Sequence, residues 1–374
     1  MSFLAEFRKQ DSKAVAAKIY SATPSDVRRA LAAEFPSVGD FLALLSPAAR
    51  AFAGETAVRA RELTISHFGK NINLYAPLYL SNECDNACRY CGFNASSSVG
   101  RKTLSDDEIL READSLKARG FDNVLLLTGE SPSKAGSGYV EKSVRMLSEK
   151  FTFTGLEIFP ADSDVYRRFV SAGASGLTVY QETYDEKVYE YMHPAGKKRD
   201  FEFRIQSPER ALEAGFRRVG LGALLGLSDW RLDAAMLGLH AKYLIDKYWR
   251  GDVTISFPRL KKCASGFNAP HPVSDGDVAS MIFALRIFLP RAGMILSTRE
   301  SDAFRDSLIG WGITMMSAGS RTNPGGYASG GDAREQFEVS DRRSVDEVVR
   351  AIERKGFYAV FKDWDRGFGA SRYD

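Results

Sequence analysis

From residue 72 onward, short apolar runs recur along the chain, separated by longer amphipathic stretches. Runs at 72–80, 123–128, 155–159, 176–180, 218–221, 253–257, 294–298 and 314–317 read as strands. The segments between them announce helix ends. Ser105 and Glu108 form a capping box, the stripe Ile109, Ala113, Leu116 follows, and Gly120 closes the helix. Ser207-Pro208-Glu209 opens a helix that stops at Gly215. Ser274 with Asp277, and Ser301 ahead of 303–309, repeat the start signal. Eight strands alternating with helices predict an α/β protein with a parallel sheet, and that number favours closure into a (β/α)8 TIM-type barrel. An open doubly wound sheet is the alternative.

The flanks differ from this core. Residues 1–70 predict an N-terminal helical extension, with helical apolar spacing at 14–20, 26–35 and 48–68. The barrel is assigned to 71–318, and 319–374 to a C-terminal loop, helix and tail packed on it. Residues 318–343 read as loop, Ser344 to Glu347 caps a helix ending at Gly356, and an aromatic tail spans 357–364.

Composition narrows the class. With 44% hydrophobic residues among 374, a large buried core is within reach. The 51 basic and 48 acidic residues leave a net charge of +3, too balanced for a nucleic-acid or anionic-membrane partner. The isolated pairs Lys197-Lys198 and Lys261-Lys262 read as solvated surface. The N-terminus carries an acid and no apolar h-region, and no apolar run approaches ~18 residues, so the expectation is a cytoplasmic protein without a membrane span. Four cysteines are too few for a disulfide framework.

Three of those cysteines, Cys84, Cys88 and Cys91, stand within eight positions directly after the first strand. That places them on the C-terminal face, where barrel active sites are built. Their spacing lets one short loop fold three thiolates around a compact inorganic centre. Full ligation of a cubane uses four cysteines, so three leave one iron open. The competing reading is a Cys3His zinc site, whose fourth ligand would be His67, His193, His240, His271 or Cys263. None of these shows the paired knuckle spacing of structural zinc. Cys263 stands alone and reads as an inert thiol.

The CxxxCxxC loop resembles that of the radical S-adenosylmethionine (SAM) superfamily. Further stretches resemble its aromatic amino-acid lyase branch, and most closely the tyrosine lyases of thiamine biosynthesis: LYLSNECDNACRYCGF at 78–93, RKTL at 101–104, TGE at 128–130, VYQETY at 179–184, VGLGALLGLSD at 219–229, SFPRL at 256–260, LSTRE at 296–300, PGGY at 324–327 and KDWD at 362–365. The resemblance implies a 4Fe-4S cluster on Cys84, Cys88 and Cys91, with SAM chelating the open iron and yielding a 5′-deoxyadenosyl radical. It further implies cleavage of L-tyrosine between Cα and Cβ, begun by hydrogen abstraction from the amino nitrogen and giving 2-iminoacetate and p-cresol. Because 2-iminoacetate hydrolyses readily, thiazole synthase is implied as the receiving partner, with a flavodoxin or similar electron donor.

Residue roles follow, for Gly129, Glu130, Gly222, Leu224, Ser297 and Arg299 from the same resemblance and for Gln181, Glu182 and Tyr75 from their places on the strands, each beside a plainer one. Gly129 and Glu130 meet the SAM methionyl group, or form an ordinary turn. Gly222 and Leu224 flank the adenine; the spacing GxGxxxG is not a dinucleotide fingerprint, close backbone packing is the alternative, and Asp229 stands where the family pattern has Glu. Gln181 and Glu182 contact SAM or cap their strand. Arg299 grips the substrate carboxylate with Ser297 in support, or forms an ion pair with Glu300 or Glu182. Tyr75 lines the substrate pocket or fills the core. Arg259 shares the ambiguity of Arg299 with a weaker case.

Three rivals remain at this level. A tryptophan lyase of the same branch differs only in pocket shape. The hydrogenase-maturation tyrosine lyase is disfavoured, because it needs a second cluster near its C-terminus and no cysteine follows Cys263. From another class comes a non-catalytic iron–sulfur or zinc protein.

Overall fold

The computed structural model describes residues 2–261, 266–328, 330 and 335–362. Cys263, Lys262, Asp363 and Trp364 lie outside the described residues. Eight parallel strands run β1 (Asn71–Ser81), β2 (Asn123–Thr128), β3 (Phe153–Glu157), β4 (Gly176–Thr178), β5 (Arg218–Gly222), β6 (Asp252–Ser256), β7 (Gly293–Leu296) and β8 (Met315–Ser317). Each pairs with its successor, and β8 returns to β1, with Tyr75 opposite Ser317. The sheet therefore closes, which rules out the open doubly wound alternative.

Alternation along β1 shows how the barrel is filled. Ile72, Leu74, Ala76, Leu78 and Leu80 are fully buried against the surrounding layer, each larger one contributing about 2 kcal/mol. The intervening Tyr75 and Tyr79 point inward and line the chambers at the barrel mouth. β3 starts earlier than the apolar run at 155–159, because Phe153 pairs with Asn123. Ile158 and Phe159 lie past its end and line the mouth.

N-terminal helices wrap one side. Phe3 stacks on His240 at 3.8 Å, and Phe41 stacks on Phe288 at 4.3 Å. At the other terminus the expected aromatic tail begins as a ninth strand, β9 (Tyr358–Val360), parallel to Asn71–Asn73. The Tyr358 amide donates to the Lys70 carbonyl at 2.7 Å, and Phe361 meets the ring of Phe121 edge-on.

The irregular segment before the last helix is tied down over the mouth. Tyr327 donates its hydroxyl to the Pro77 carbonyl at 2.8 Å, and the Tyr327 and Ala328 amides donate to Glu112 at 3.0 and 2.6 Å. Arg305 and Asp341 form a buried pair, and the Ser340 and Asp341 amides donate to the Thr298 carbonyl at 3.0 and 3.1 Å. This strap carries Gln336 and Phe337 onto the open end of the barrel. Among the described residues no helix is long and apolar enough to cross a membrane.

Candidate active site at the barrel mouth

The loop leaving β1 is clamped from both sides. A Cβ at Gly129 would lie 2.1 Å from the Glu83 carbonyl oxygen, so only glycine lets β2 end against the cysteine loop. Gly196, at φ 94°, packs as tightly on Asn86. Asn86 is the hub: its amide donates to Glu130 at 2.7 Å, and its oxygen accepts from the Lys198 backbone at 2.9 Å. Arg101 closes the loop by donating to the carbonyls of Asn82, Phe93 and Asn94 at 2.6, 2.9 and 2.6 Å.

This folding brings Cys84, Cys88 and Cys91 into one cleft. N–H groups point at the sulfurs: Asn86 to Cys84 at 3.8 Å, and Phe93 and Gln336 to Cys91 at 3.4 and 3.7 Å. Such donors stabilise thiolate ligands. Burial first, then the neighbouring Cys91, Cys84 and Glu182, push the Cys88 thiol up to about 12 against the opposing pull of Lys198, so a bound metal would be needed to hold it deprotonated. Of the fourth ligands a zinc site would draw on, Cys263 lies outside the described residues. His193 is engaged with Tyr90 at 2.8 Å and the Tyr189 carbonyl at 2.7 Å, and His240 with Tyr184 at 3.0 Å. Three soft thiols on one loop, with amide donors around them, fit an iron–sulfur cluster.

The charged groups sort into satisfied and unsatisfied. Glu182 is the sole non-glycine residue with positive φ among those described, at 71°, which costs roughly 1–3 kcal/mol. It reaches Lys198 at 2.6 Å and Arg204 at 3.6 Å. Burial pushes its carboxyl up, but the two cations outweigh burial and hold it below the usual range. Lys198 is thus a half-buried member of the site, which corrects the reading of that residue as solvated surface, while Lys197 is exposed as expected. Glu300 is taken by Arg259 and, at 3.7 Å, by Lys261. Both carboxylates offered as structural partners for Arg299 are therefore engaged elsewhere. Arg259 is an internal ion-pair residue.

Arg299 itself stacks on Phe337, its guanidinium carbon 3.4 Å from the ring centroid, and meets no carboxylate among the described residues. Its backbone amide donates to Ser297 at 3.4 Å. It faces a second chamber, lined by Tyr75, Ser297, Ser317 and Thr322. Glu157, at the end of β3, borders both chambers; burial pushes its carboxyl up to about 7 against the opposing pull of Arg299 and Tyr180.

Of the residues singled out in the sequence, the three cysteines, Gly129, Glu130, Glu182, Leu224 and Arg299 line the outer cleft, and Tyr75 and Ser297 the inner chamber. Gln181 and Gly222 line neither. Gln181 is buried with its side-chain nitrogen unpartnered, and the bare backbone of Gly222 admits the Tyr180 ring. Asp229 caps the helix Trp230–Lys247. Glu157, Arg204, Asn86, Gln336 and Phe337 escaped notice. A charged residue at an inward position of a strand was the available signal for Glu157.

A model of the radical SAM superfamily matches residues 78–236, and one of the Biotin and Thiamin Synthesis associated domain matches 256–358. The 2-iminoacetate synthase of Escherichia coli (strain K12) is 40% identical over 98% of both chains. This chain belongs to the 2-iminoacetate synthase family. The family's Salmonella typhimurium member is 39% identical over 98% of both chains. The FeFe-hydrogenase maturase HydG from Carboxydothermus hydrogenoformans superposes with a TM-score of 0.83 at 32% identity, covering 93% of this chain and 80% of that one. Methylornithine synthase shares the fold, with a TM-score of 0.72 at 20% identity over 92% of this chain and 99% of that one. Within this chain the cysteines lie in the radical SAM region, and Ser297, Arg299 and Phe337 in the second matched region.

Proposed function

We propose that this protein splits L-tyrosine between Cα and Cβ, giving 2-iminoacetate and p-cresol for the thiazole part of thiamine. The observation that carries this reading is Arg299: a guanidinium at the barrel mouth, stacked on Phe337 and free of any described carboxylate, next to the three-cysteine cleft. Leaving such a cation unmatched is costly unless a ligand carboxylate completes it.

Cys84, Cys88 and Cys91 would hold a 4Fe-4S cluster, and Glu130, Glu182 and Leu224 border the cleft that would hold SAM. When bound, the two together supply a 5′-deoxyadenosyl radical. The protein's own task is positional. Arg299 fixes the amino-acid carboxylate, with Ser297 setting the turn that presents it. Tyr75 and the hydroxyls of Ser256, Ser317 and Thr322 line a depth suited to a ring with a polar end. The strap bearing Gln336 and Phe337 covers the mouth and excludes water. Because the imine product hydrolyses in water, thiazole synthase is the fitting recipient in the cytosol, and a flavodoxin or similar protein the fitting electron donor.

The test is anaerobic reconstitution, followed by incubation with SAM, dithionite and either tyrosine or tryptophan. The expected result is 5′-deoxyadenosine with p-cresol from tyrosine. Cleavage of tryptophan alone would move the substrate, and absence of 5′-deoxyadenosine would remove the radical chemistry.

A further inference from the structure

Two opposite charges face one another across the site without pairing. Glu157 ends β3 and Arg299 follows β7; with the strand order running β3-β4-β5-β6-β7 one way and β3-β2-β1-β8-β7 the other, these strands stand diametrically opposite. Both side chains border the outer cleft and the inner chamber alike. Neither forms an ion pair with the other or with any other described residue. The remaining carboxylates of the cleft are occupied, Glu182 by Lys198 and Glu130 by Asn86. A guanidinium and a carboxylate held apart across one chamber are complementary to an α-amino-acid zwitterion, whose carboxylate and ammonium share one carbon.

We propose that Glu157 receives the α-ammonium group of the substrate opposite Arg299 and accepts one of its protons. The proposal rests on the amino-acid lyase reading above and names a residue for it. The balance of hydrogens requires such a group. An ammonium carries three hydrogens on nitrogen and 2-iminoacetate carries one, so at least one N–H bond must break to release a proton. That proton passes to a Glu157 oxygen, and the electron pair stays on nitrogen as the lone pair of a neutral amine. The groups facing Glu157 are suited to this. Arg299 and Lys198 favour its charged form, Glu182 opposes it, the Tyr180 hydroxyl lies beside it, and the half-buried ring of Tyr75 and the buried ring of Tyr79 limit water. Such a carboxylate is basic enough near neutral pH to take a proton from an ammonium in a desolvated site.

The experiment compares wild type, Glu157→Gln and Glu157→Asp, each reconstituted and saturated with SAM but without reductant. Binding of tyrosine is measured beside 3-(4-hydroxyphenyl)propanoate, which keeps the ring and carboxylate and lacks the amino group. Glu157→Gln should weaken tyrosine by about tenfold or more while leaving the analogue unchanged, because only one ligand has an ammonium to lose. Glu157→Asp, which retains the charge and the iron content, should recover part of the preference. In turnover, the acid limb of the wild-type pH profile near neutrality should be absent from Glu157→Gln. Equal losses for both ligands, unchanged tyrosine binding, or an Asp variant indistinguishable from Gln would overturn the assignment. Wild type that makes no p-cresol would instead sink the lyase reading, so the two failures are distinct.

Discussion

The Lys198 ammonium lies 2.6 Å from the Glu182 carboxylate, although Glu182 holds that place only by adopting a left-handed backbone at φ 71°. Backbone strain accepted at a ligand cleft marks a side chain whose position is over-determined by its surroundings. Here those surroundings are Lys198, Arg204 and the Leu224 amide, which donates to the Glu182 carbonyl at 2.7 Å. Lys198→Met removes the closer cation and leaves Glu182 with Arg204 at 3.6 Å. The expected cost is about 3–5 kcal/mol, read by denaturant unfolding, together with weaker SAM binding by equilibrium dialysis. The sign with pH follows from the depressed carboxyl: the pair's contribution is complete above the unfolded value of roughly 4.3 and is lost as pH falls through the lower folded value.

The barrel was legible because its signals are local. Alternation at Leu74, Ala76 and Leu78 and the caps at Ser105 and Ser274 each concern residues a few positions apart. The cysteine loop is local too. What stayed hidden depends on where the barrel places distant turns. Lys198 looked like half of a surface pair, and it is the turn whose Gly196 packs on Asn86 that carries it to Glu182. Glu157 was the exception, since the apolar Leu156 and Ile158 on either side of it already set off a carboxylate in the middle of a strand-like run. The freedom of Arg299 was undecidable from sequence, because it turns on Glu300 and Glu182 having other partners.

Gly129 supplies a second test. Gly129→Ala drives a methyl group into the Glu83 carbonyl at 2.1 Å and against the Cys84 Cβ at 2.9 Å. Neither neighbour is a flexible side-chain end, so the cysteine loop must shift. Iron per chain after reconstitution should fall, with a stability loss of about 1–3 kcal/mol, while the far-ultraviolet circular dichroism of the barrel stays near wild type. Wild-type iron content would show that the clamp is not needed for the cluster site.

Arg299→Lys separates charge from geometry. A lysine keeps the positive charge but loses the planar fork and the face that stacks on Phe337. Tyrosine turnover should drop by about 100-fold while iron content and SAM binding are retained. Unchanged turnover would remove the carboxylate role.

Glu157 should be costly to stability in its charged form. Burial lifts its folded carboxyl to about 7, above the unfolded value of roughly 4.3, so the folded state binds more protons between them. Its contribution is therefore most favourable below about 4.3 and is lost as pH rises through about 7. Glu157→Gln is expected to be more stable than wild type at pH above neutrality, by on the order of 1–3 kcal/mol, with no gain at low pH. Melting temperatures across a pH series check both sign and window, and a variant less stable throughout would mean that Glu157 is a structural carboxylate.

Electron paramagnetic resonance of the reduced, reconstituted protein, recorded with and without SAM beside a metal analysis, goes to the root of the matter. The account requires about four irons per chain, lost when Cys84, Cys88 or Cys91 becomes alanine, and a cluster signal that changes shape when SAM is added. One zinc per chain, or a cluster signal indifferent to SAM, would contradict it.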